Sequence, residues 1–246
     1  MQNVSNMVSI KTWLTSLVFA TITFLGFSQE KVNMILEGYK NTVKNEQHFK
    51  VDITYKIYKG HESTTPNEVK SGEFYRNGKE MYTKIDEVEI LNAKEAHIKA
   101  NHVERAILLA DPFTAPQEVN MDLTELFTYL NAKLVQNTAN YWSIEFTPKG
   151  AITQVPFSKL NVKLEKSSYR LLEQTFFYFQ EMNFSRDQKK SNNGQVKLSV
   201  SFKGYQKLDK GTLDSIFDWT KYVVKVNGKY KVANTYKGYE LVNIKK

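Results

Sequence analysis

Apolar and polar residues alternate between Gln47 and Leu109, and the rest of the chain is organised around this stretch. In its first segment every second residue is apolar: Phe49, Val51, Ile53, Tyr55 and Ile57. A period of two places one set of side chains on a buried face and the other set in water. The stretch therefore predicts a meander of six short antiparallel strands, with a tight hairpin at Asn77-Gly78.

Two other segments repeat apolar residues at steps of three and four, which is typical of amphipathic helices. In Glu30–Asn45 the repeated residues are Val32, Ile35, Leu36, Tyr39 and Val43. In Asp122–Asn137 they are Leu123, Leu126, Phe127, Leu130 and Leu134, with Asp122 as the expected N-cap. An apolar stripe needs an apolar partner, so both helices are predicted to lie across the sheet.

Strand patterns resume after the second predicted helix. The predicted strands are Asn140–Thr147, Phe157–Lys166, Tyr169–Met182 and Gln195–Tyr205, and Leu213–Phe217 is a candidate closing strand. Between the meander and the second helix, the two prolines of Asp111–Asn120 predict a crossing loop. The last residues form a Tyr- and Lys-rich tail with a turn at Asn227-Gly228.

The first 28 residues are typical of an export signal. Lys11 is the only charged residue before Glu30, and the apolar stretch from Trp13 to Phe27 is too short to span a bilayer comfortably. Gly26 and Ser28 suit a cleavage site, which predicts export to the periplasm as a soluble protein. The alternative is an uncleaved N-terminal anchor.

Composition excludes several kinds of function. The chain has no cysteine, which excludes disulfides, thiolate metal sites and a cysteine nucleophile. It carries 34 Lys and Arg against 26 Asp and Glu, but the lysines are spread through nearly every segment. A spread of this kind indicates a solvated polar face rather than a nucleic-acid site.

The residues suggest no catalytic centre. His97 and His102 come from neighbouring predicted strands near Asp111, but a metal site needs three or four converging ligands. The acidic cluster of Asp86, Glu87 and Glu89 lies at a turn, where adjacent side chains point to opposite faces. The phosphate-loop, dinucleotide and serine-hydrolase patterns are absent. We therefore expect neither an enzyme nor a metal or cofactor site.

The order of elements, together with the leader, resembles the periplasmic outer-membrane lipoprotein carriers of the LolA/LolB-like superfamily. Two stretches carry the resemblance, KSGEFYRNGKEMYTKI and VEILNAKEAHIKANHVERAILLAD. In the first, a glycine opens a strand that leads through Arg76 to Tyr82. Two features depart from the family: an aromatic-rich strand is replaced by Ala96, Ile98 and Ala100, and a tail of about 30 residues follows Phe217.

The resemblance implies an α+β fold, in which a strongly curved antiparallel sheet, an unclosed β-barrel, has helices covering its concave face. It also implies transport: such proteins hold acyl chains of lipoproteins or other lipids and contact membranes transiently. On this basis residues 29–217 are predicted to form the half-barrel domain. Residues 218–246 are predicted to form an extension that adds an edge element or a site for an envelope protein.

An open half-barrel must fill its concave face. The candidate lining of an apolar cavity is Ile35, Tyr39, Tyr55, Ile57, Phe74, Met81, Phe127, Phe176 and Tyr178. The alternative is that these residues pack on the helices as an ordinary core. The two readings give two hypotheses, a carrier for an acyl chain or other apolar ligand, and a non-catalytic envelope interaction module with a filled cleft.

Overall fold

The six-stranded meander is present in the computed structural model, which describes residues 29–112, 123–150, 155–185 and 190–245. Its strands are β1 (His48–Lys59), β2 (Glu68–Asn77), β3 (Glu80–Ile85), β4 (Val88–Asn92), β5 (His97–Asn101) and β6 (Ala106–Ala110). Gly78 opens the β2–β3 loop with a φ of 64°, which confirms the predicted hairpin. The predicted leader, and most of the predicted crossing loop, lie outside the described residues.

The second half adds five strands and returns to the first. They are β7 (Leu130–Asn137), β8 (Tyr141–Pro148), β9 (Phe157–Glu165), β10 (Leu171–Asn183) and β11 (Asn193–Lys207). Because β11 pairs with β1, one sheet of 12 strands runs in the order β14-β6-β5-β4-β3-β2-β1-β11-β10-β9-β8-β7. The sheet is unclosed. It is also mixed rather than wholly antiparallel, because β14 (Glu240–Asn243) runs parallel to β6.

The predicted second helix, Asp122–Asn137, is wrong over most of its length. Leu126–Tyr129 form a single 3-10 turn, and Leu130–Asn137 are β7. Leu130 and Leu134 fit a helical step of four, but they also fit a period of two. Pairing with β8 places Leu134 opposite Ile144, so the packing of the sheet prevails over local spacing. Asp122, the expected N-cap, lies outside the described residues.

The predicted closing strand Leu213–Phe217 is also wrong, because this segment is helical. Helix α2 spans Lys210–Ile216, and the Asp209 carboxylate caps it by accepting a 3.0 Å hydrogen bond from the backbone N–H of Thr212. Leu213 and Phe217 lie four residues apart, so a helix turns both to one side, where both are buried.

Helix α1, residues 29–45, packs its apolar stripe onto one face of the sheet, here called the helix face. Val32, Ile35 and Tyr39 are buried there in one core with Val51 of β1 and Phe74 of β2. The same core extends through β7–β11. None of the described helices is both long and apolar enough to cross a bilayer. Of the two predicted helices, α1 is present in the described chain.

The opposite face, here called the back face, carries a second core at the β3–β6 end. Leu91, Ile98 and Leu109 are buried there against residues of the C-terminal segment: Leu213, Phe217, Tyr222 and Val223. Strands β12 (Val223–Val226) and β13 (Lys229–Val232) form a separate hairpin. Its Asn227-Gly228 turn has φ values of 51° and 78°, which confirms that prediction.

Gly72→Ala is expected to destabilise the protein by about 1–3 kcal/mol. A Cβ at this position would lie 2.0 Å from the Lys84 carbonyl oxygen, so β2 and β3 must separate to admit it. Gly211→Ala is the matched control, because its Cβ would meet only the Asp209 carboxylate at 3.3 Å. Urea unfolding measures both; a Gly72→Ala variant as stable as wild type would contradict the close pairing.

Candidate functional site

The structure places the predicted lining residues on or against the helix face, but most of them belong to a packed core. Ile35, Tyr39, Phe74 and Phe176 are buried, and Tyr55, Met81, Phe127 and Tyr178 are half-buried against the same core. Ile57 is half-buried on this face opposite Leu198. Register explains this grouping, because residues paired across strands share a face.

Aromatic contacts fill the space beneath α1. The Tyr39 and Phe127 rings lie 5.8 Å apart, and Phe127 stacks parallel on Phe146 at 4.5 Å. Phe176 meets Phe157 edge-on at 5.3 Å. At these distances the rings are in direct contact. The four buried members of the predicted lining belong to the main core.

A small cleft opens where the C-terminal end of α1 meets the sheet. Its lining includes Glu46, Arg76, Arg170 and Tyr205. The cleft holds about 280 Å³ including open solvent, of which about 20 Å³ admits the centre of a water molecule. That is room for about one water. Arg170 donates from Nε and Nη2 to the Glu46 carboxylate at 2.7–3.0 Å. Because the cleft has room for about one water, it is too small for an acyl chain.

A second group of apolar side chains on the helix face was not predicted. The group, here called the apolar strip, consists of Ile85, Val88, Ile90, Leu108 and Val242. The register puts Val88 opposite Ile85, and Val242 opposite Leu108. Ile85 packs against the main core, while Val88, Ile90 and Leu108 are half-buried and Val242 is 44% exposed. The strip thus starts beside the main core on β3 and β4 and resumes on β6 and the edge strand β14, with the polar strand β5 between the two parts.

One signal in the sequence points to the strip. Strand β6 reads AILLA, with no polar residue on either face. A strand that is apolar on both sides is typical of one covered on both sides. Its back-face residues, Ile107 and Leu109, meet the C-terminal segment, so Leu108 is left for the helix face. The face of each residue follows only from the register, which the alternation pattern alone does not supply.

Strand β5 brings polar residues to the helix face between the apolar strands β4 and β6. His97 lies between Asn92 and Ala110, and Lys99 lies between Ile90 and Leu108. His97 is buried, and Lys99 is exposed. Burial, with the Lys99 charge as the smaller cause, lowers the pKa of His97 from 6.5 to about 4. His97 is therefore neutral at pH 7, and Lys99 supplies the positive charge beside the strip.

His97 makes stability depend on pH. Its folded pKa of about 4 lies below the unfolded value of 6.5, so between these values the unfolded chain binds a proton that the folded chain does not. Stability is therefore lost as pH falls from 6.5 to 4, by up to about 3 kcal/mol. Urea unfolding across this range, compared with His97→Gln, measures the effect. If the free energy of unfolding fell equally steeply with decreasing pH in the wild-type protein and in His97→Gln, the role of His97 would be contradicted.

The two histidines singled out in the sequence do not converge on a site. His102 lies in the β5–β6 turn, where its Nε2 meets the Glu89 carboxylate at 3.0 Å and its Nδ1 meets the Tyr239 hydroxyl at 2.9 Å. Asp111 pairs instead with Lys245 at 3.0 Å. No group of three or more His, Asp or Glu residues that could hold a metal occurs among the described residues.

Glu89, part of the acidic cluster in the sequence, has a structural environment. It accepts hydrogen bonds from His102, from the Tyr222 hydroxyl at 2.5 Å and from Tyr82. Burial raises the pKa of Glu89, but the donors outweigh it, and the pKa lies below its ordinary value. Asp86 and Glu87 occupy the exposed β3–β4 turn. Glu89 thus anchors the C-terminal segment to the back face.

Comparisons with known proteins find similar solved structures at low sequence identity. No family model and no curated protein matches the chain. Among solved structures, an uncharacterized conserved protein from Thermus thermophilus is similar at 10% identity and a TM-score of 0.46, with 87% of this chain and 99% of that chain covered. A LolA superfamily protein from Nitrosomonas europaea is similar at 13% identity and a TM-score of 0.36, covering 76% and 97%.

Lipoprotein LppX from Mycobacterium tuberculosis is similar at 9% identity and a TM-score of 0.36, with 74% of this chain and 99% of that chain covered. Similarity at this level identifies no ligand and no residue role. Any function therefore has to be argued from the side chains of this chain.

Proposed function

We propose that this chain is an exported, non-catalytic carrier or binding protein for a lipoprotein acyl chain or another apolar ligand. The ligand lies on the helix face, along the apolar strip and beside α1. The observation that carries the proposal is the strip itself, where Val88, Ile90 and Leu108 are half-buried in neither described core. Apolar area left open beside a packed core suits a ligand that completes the burial.

The length of the strip favours an acyl chain over a compact ligand. The strip crosses β3, β4, β5, β6 and β14, and neighbouring strands lie about 4.8 Å apart, which gives a length of about 19 Å. Burial contributes about 0.8 kcal/mol per CH₂. A long, thin hydrocarbon matches this shape, while the one-water cleft at the end of α1 does not accept one. The predicted lining residues Tyr55, Met81 and Tyr178 are half-buried against the main core.

Location and architecture form part of the proposal. Residues 1–28 act as the export leader, and the mature chain works in the periplasm, with brief membrane contact at loading and release. Residues 29–217 form a curved half-barrel with α1 over its concave side. Residues 218–246 are an addition that closes the back face of β3–β6. The packing of Tyr222 and Val223 on that face supports this division of roles.

The proposal is tested by purifying the mature chain from an envelope fraction without detergent and extracting bound molecules for mass spectrometry. We expect acylated molecules in near-stoichiometric amount. A variant with Ile90→Asn and Leu108→Asn should lose them, whereas Thr54→Asn, on the back face, should keep them. Preparations that are reproducibly empty would contradict the carrier.

A second candidate is a non-catalytic envelope interaction module with a filled cleft. The packed aromatic rings beneath α1 favour it, as do Val224 and Val226, which are 38% and 42% exposed on the β12–β13 hairpin. Deleting the tail would not test it, because Tyr222 and Val223 are core residues. Val224→Lys with Val226→Lys is the better variant. Loss of a co-purifying envelope protein, with no lipid in either protein, would favour this module.

A further inference from the structure

Lys99 occupies the centre of the apolar strip. On β5 its side chain is opposite Ile90 of β4 and Leu108 of β6. Beyond Ile90, the residue opposite on β3 is Thr83, and beyond Leu108, the residue opposite on β14 is Val242. The ammonium group of Lys99 thus has apolar neighbours across both adjacent strands, on the face that the proposed ligand covers, while its neighbours along β5, His97 and Asn101, are polar. Lys99 itself is exposed, so its charge stays hydrated in the structure.

Three lysines on the back face of the sheet have acidic partners. On the back face Lys50 pairs with Glu73, Lys163 pairs with Glu173 at 3.1 Å, and Lys159 pairs with Glu145 at 3.6 Å. These are ordinary cross-strand pairs of opposite charge. Among the described residues Lys99 has no hydrogen bond or ion pair of this kind. What distinguishes Lys99 from these three lysines is that apolar residues, Ile90 and Leu108, lie opposite it on both neighbouring strands.

The groups around Lys99 leave its charge available to a ligand. His97, two residues away on the same face, is buried and neutral at pH 7. The acid nearest by register on this face is Glu240, which is two strands and one row away. That offset corresponds to about 12 Å, beyond the range of a direct ion pair. Lys99 therefore acts as an isolated cation on an apolar surface.

We propose that Lys99 binds the anionic head of an amphiphile, a carboxylate or a phosphate ester, whose hydrocarbon tail lies over Ile90 and Leu108. This rests on the proposed function and narrows its ligand class from apolar molecules to anionic amphiphiles. The ammonium donates hydrogen bonds to the head, and the adjoining side chains exclude water from the first methylenes of the tail. A charge-assisted hydrogen bond beside an apolar surface is stronger than one in open water.

The test uses a neutral fluorescent probe, N-phenyl-1-naphthylamine, and its displacement by matched ten-carbon compounds. Decanoate, decyl phosphate and decanol share one tail and differ in the head, and inorganic phosphate supplies a head without a tail. They are compared on wild type, Lys99→Met and Lys99→Arg. Lys203→Met, an exposed lysine on the back face opposite Asp52, is the matched control.

We expect Lys99→Met to weaken displacement by decanoate and decyl phosphate about tenfold. Displacement by decanol should change less than about twofold, and Lys99→Arg and Lys203→Met should resemble wild type. Inorganic phosphate should displace nothing. Two results overturn the role of Lys99 but leave the proposed function intact, provided that the wild-type protein binds the probe. In one, Lys99→Met weakens displacement by decanol as much as displacement by the anions. In the other, Lys99→Met does not weaken displacement by the anions. Displacement by inorganic phosphate overturns the role of Lys99 too, because it would indicate a plain anion site. A wild-type protein that binds no probe overturns the apolar site itself, and with it the proposed function.

Discussion

Phe176→Ala is expected to destabilise the protein by about 3–5 kcal/mol. The Phe176 side chain is 1% exposed, contacts Phe157 and Tyr178, and sits between Leu160 and Leu198 in the register. Removing the ring leaves a cavity that neighbours on two strands cannot close. The free energy of unfolding in urea measures the loss.

Leu108→Ala is the matched control for this prediction. Leu108 is half-buried on the strip, so its truncation should cost less than about 1.5 kcal/mol while weakening the binding of an apolar probe. If Leu108→Ala destabilised the protein more than Phe176→Ala, Leu108 would belong to the core and Phe176 to the ligand surface. The pair thus separates stabilising residues from ligand-binding residues on one face.

Glu89→Ala has the second large effect, a loss of about 2–4 kcal/mol. The carboxylate accepts from Tyr222, His102 and Tyr82, and its removal leaves three donors on the back face without their acceptor. Because the pKa of Glu89 is lowered in the folded state, its contribution is present above the unfolded pKa and disappears as pH falls through the folded one. Urea unfolding at neutral and acid pH measures both effects.

A double-mutant cycle identifies the cause of that loss. Tyr222→Phe alone removes one donor and leaves Glu89 with its other two, so about 1 kcal/mol is expected. In the Glu89→Ala background, Tyr222→Phe should lower the free energy of unfolding by less than it does in the wild-type protein, because the carboxylate that accepts the Tyr222 hydrogen bond is already missing. Additive effects would mean that the C-terminal segment is held by its apolar contacts without help from Glu89.

Local turn chemistry and strand alternation could be predicted from the sequence. Gly78 in the first hairpin and Asn227-Gly228 in the second adopt the positive φ values that such tight turns favour. Alternation from Phe49 to Ile57 identified β1, because one face of that strand is buried and the other is polar. These signals act within a few residues, so they do not depend on what the rest of the chain does.

The errors have a common physical cause. Leu130 and Leu134 fit a helix and a strand equally well, and the partner strand β8 decides between them. Leu213 and Phe217 fit a short strand, but the cap at Asp209 and the back face of β3–β6 favour α2. In both segments long-range packing outweighs a weak local preference.

The candidate site depended on information that the chain pattern lacks. Large apolar residues such as Phe74 and Phe176 attract a lining prediction because of their size, yet size also makes them core residues. Smaller residues such as Val88 and Leu108 gain meaning only when the register aligns them across strands. The parallel pairing of β14 with β6, which brings Val242 to the strip, follows from no local signal.

Methyl NMR of the chain labelled at Ile, Leu and Val, titrated with decanoate, tests most directly where an apolar ligand lies. The account predicts saturable shifts and intermolecular nuclear Overhauser effects at Ile90, Val88 and Leu108. Ile98 and Leu109, which are on the back face of β5 and β6, should show none. Contacts confined to the back face, or no saturable contact at any methyl group, would contradict a ligand site on the helix face.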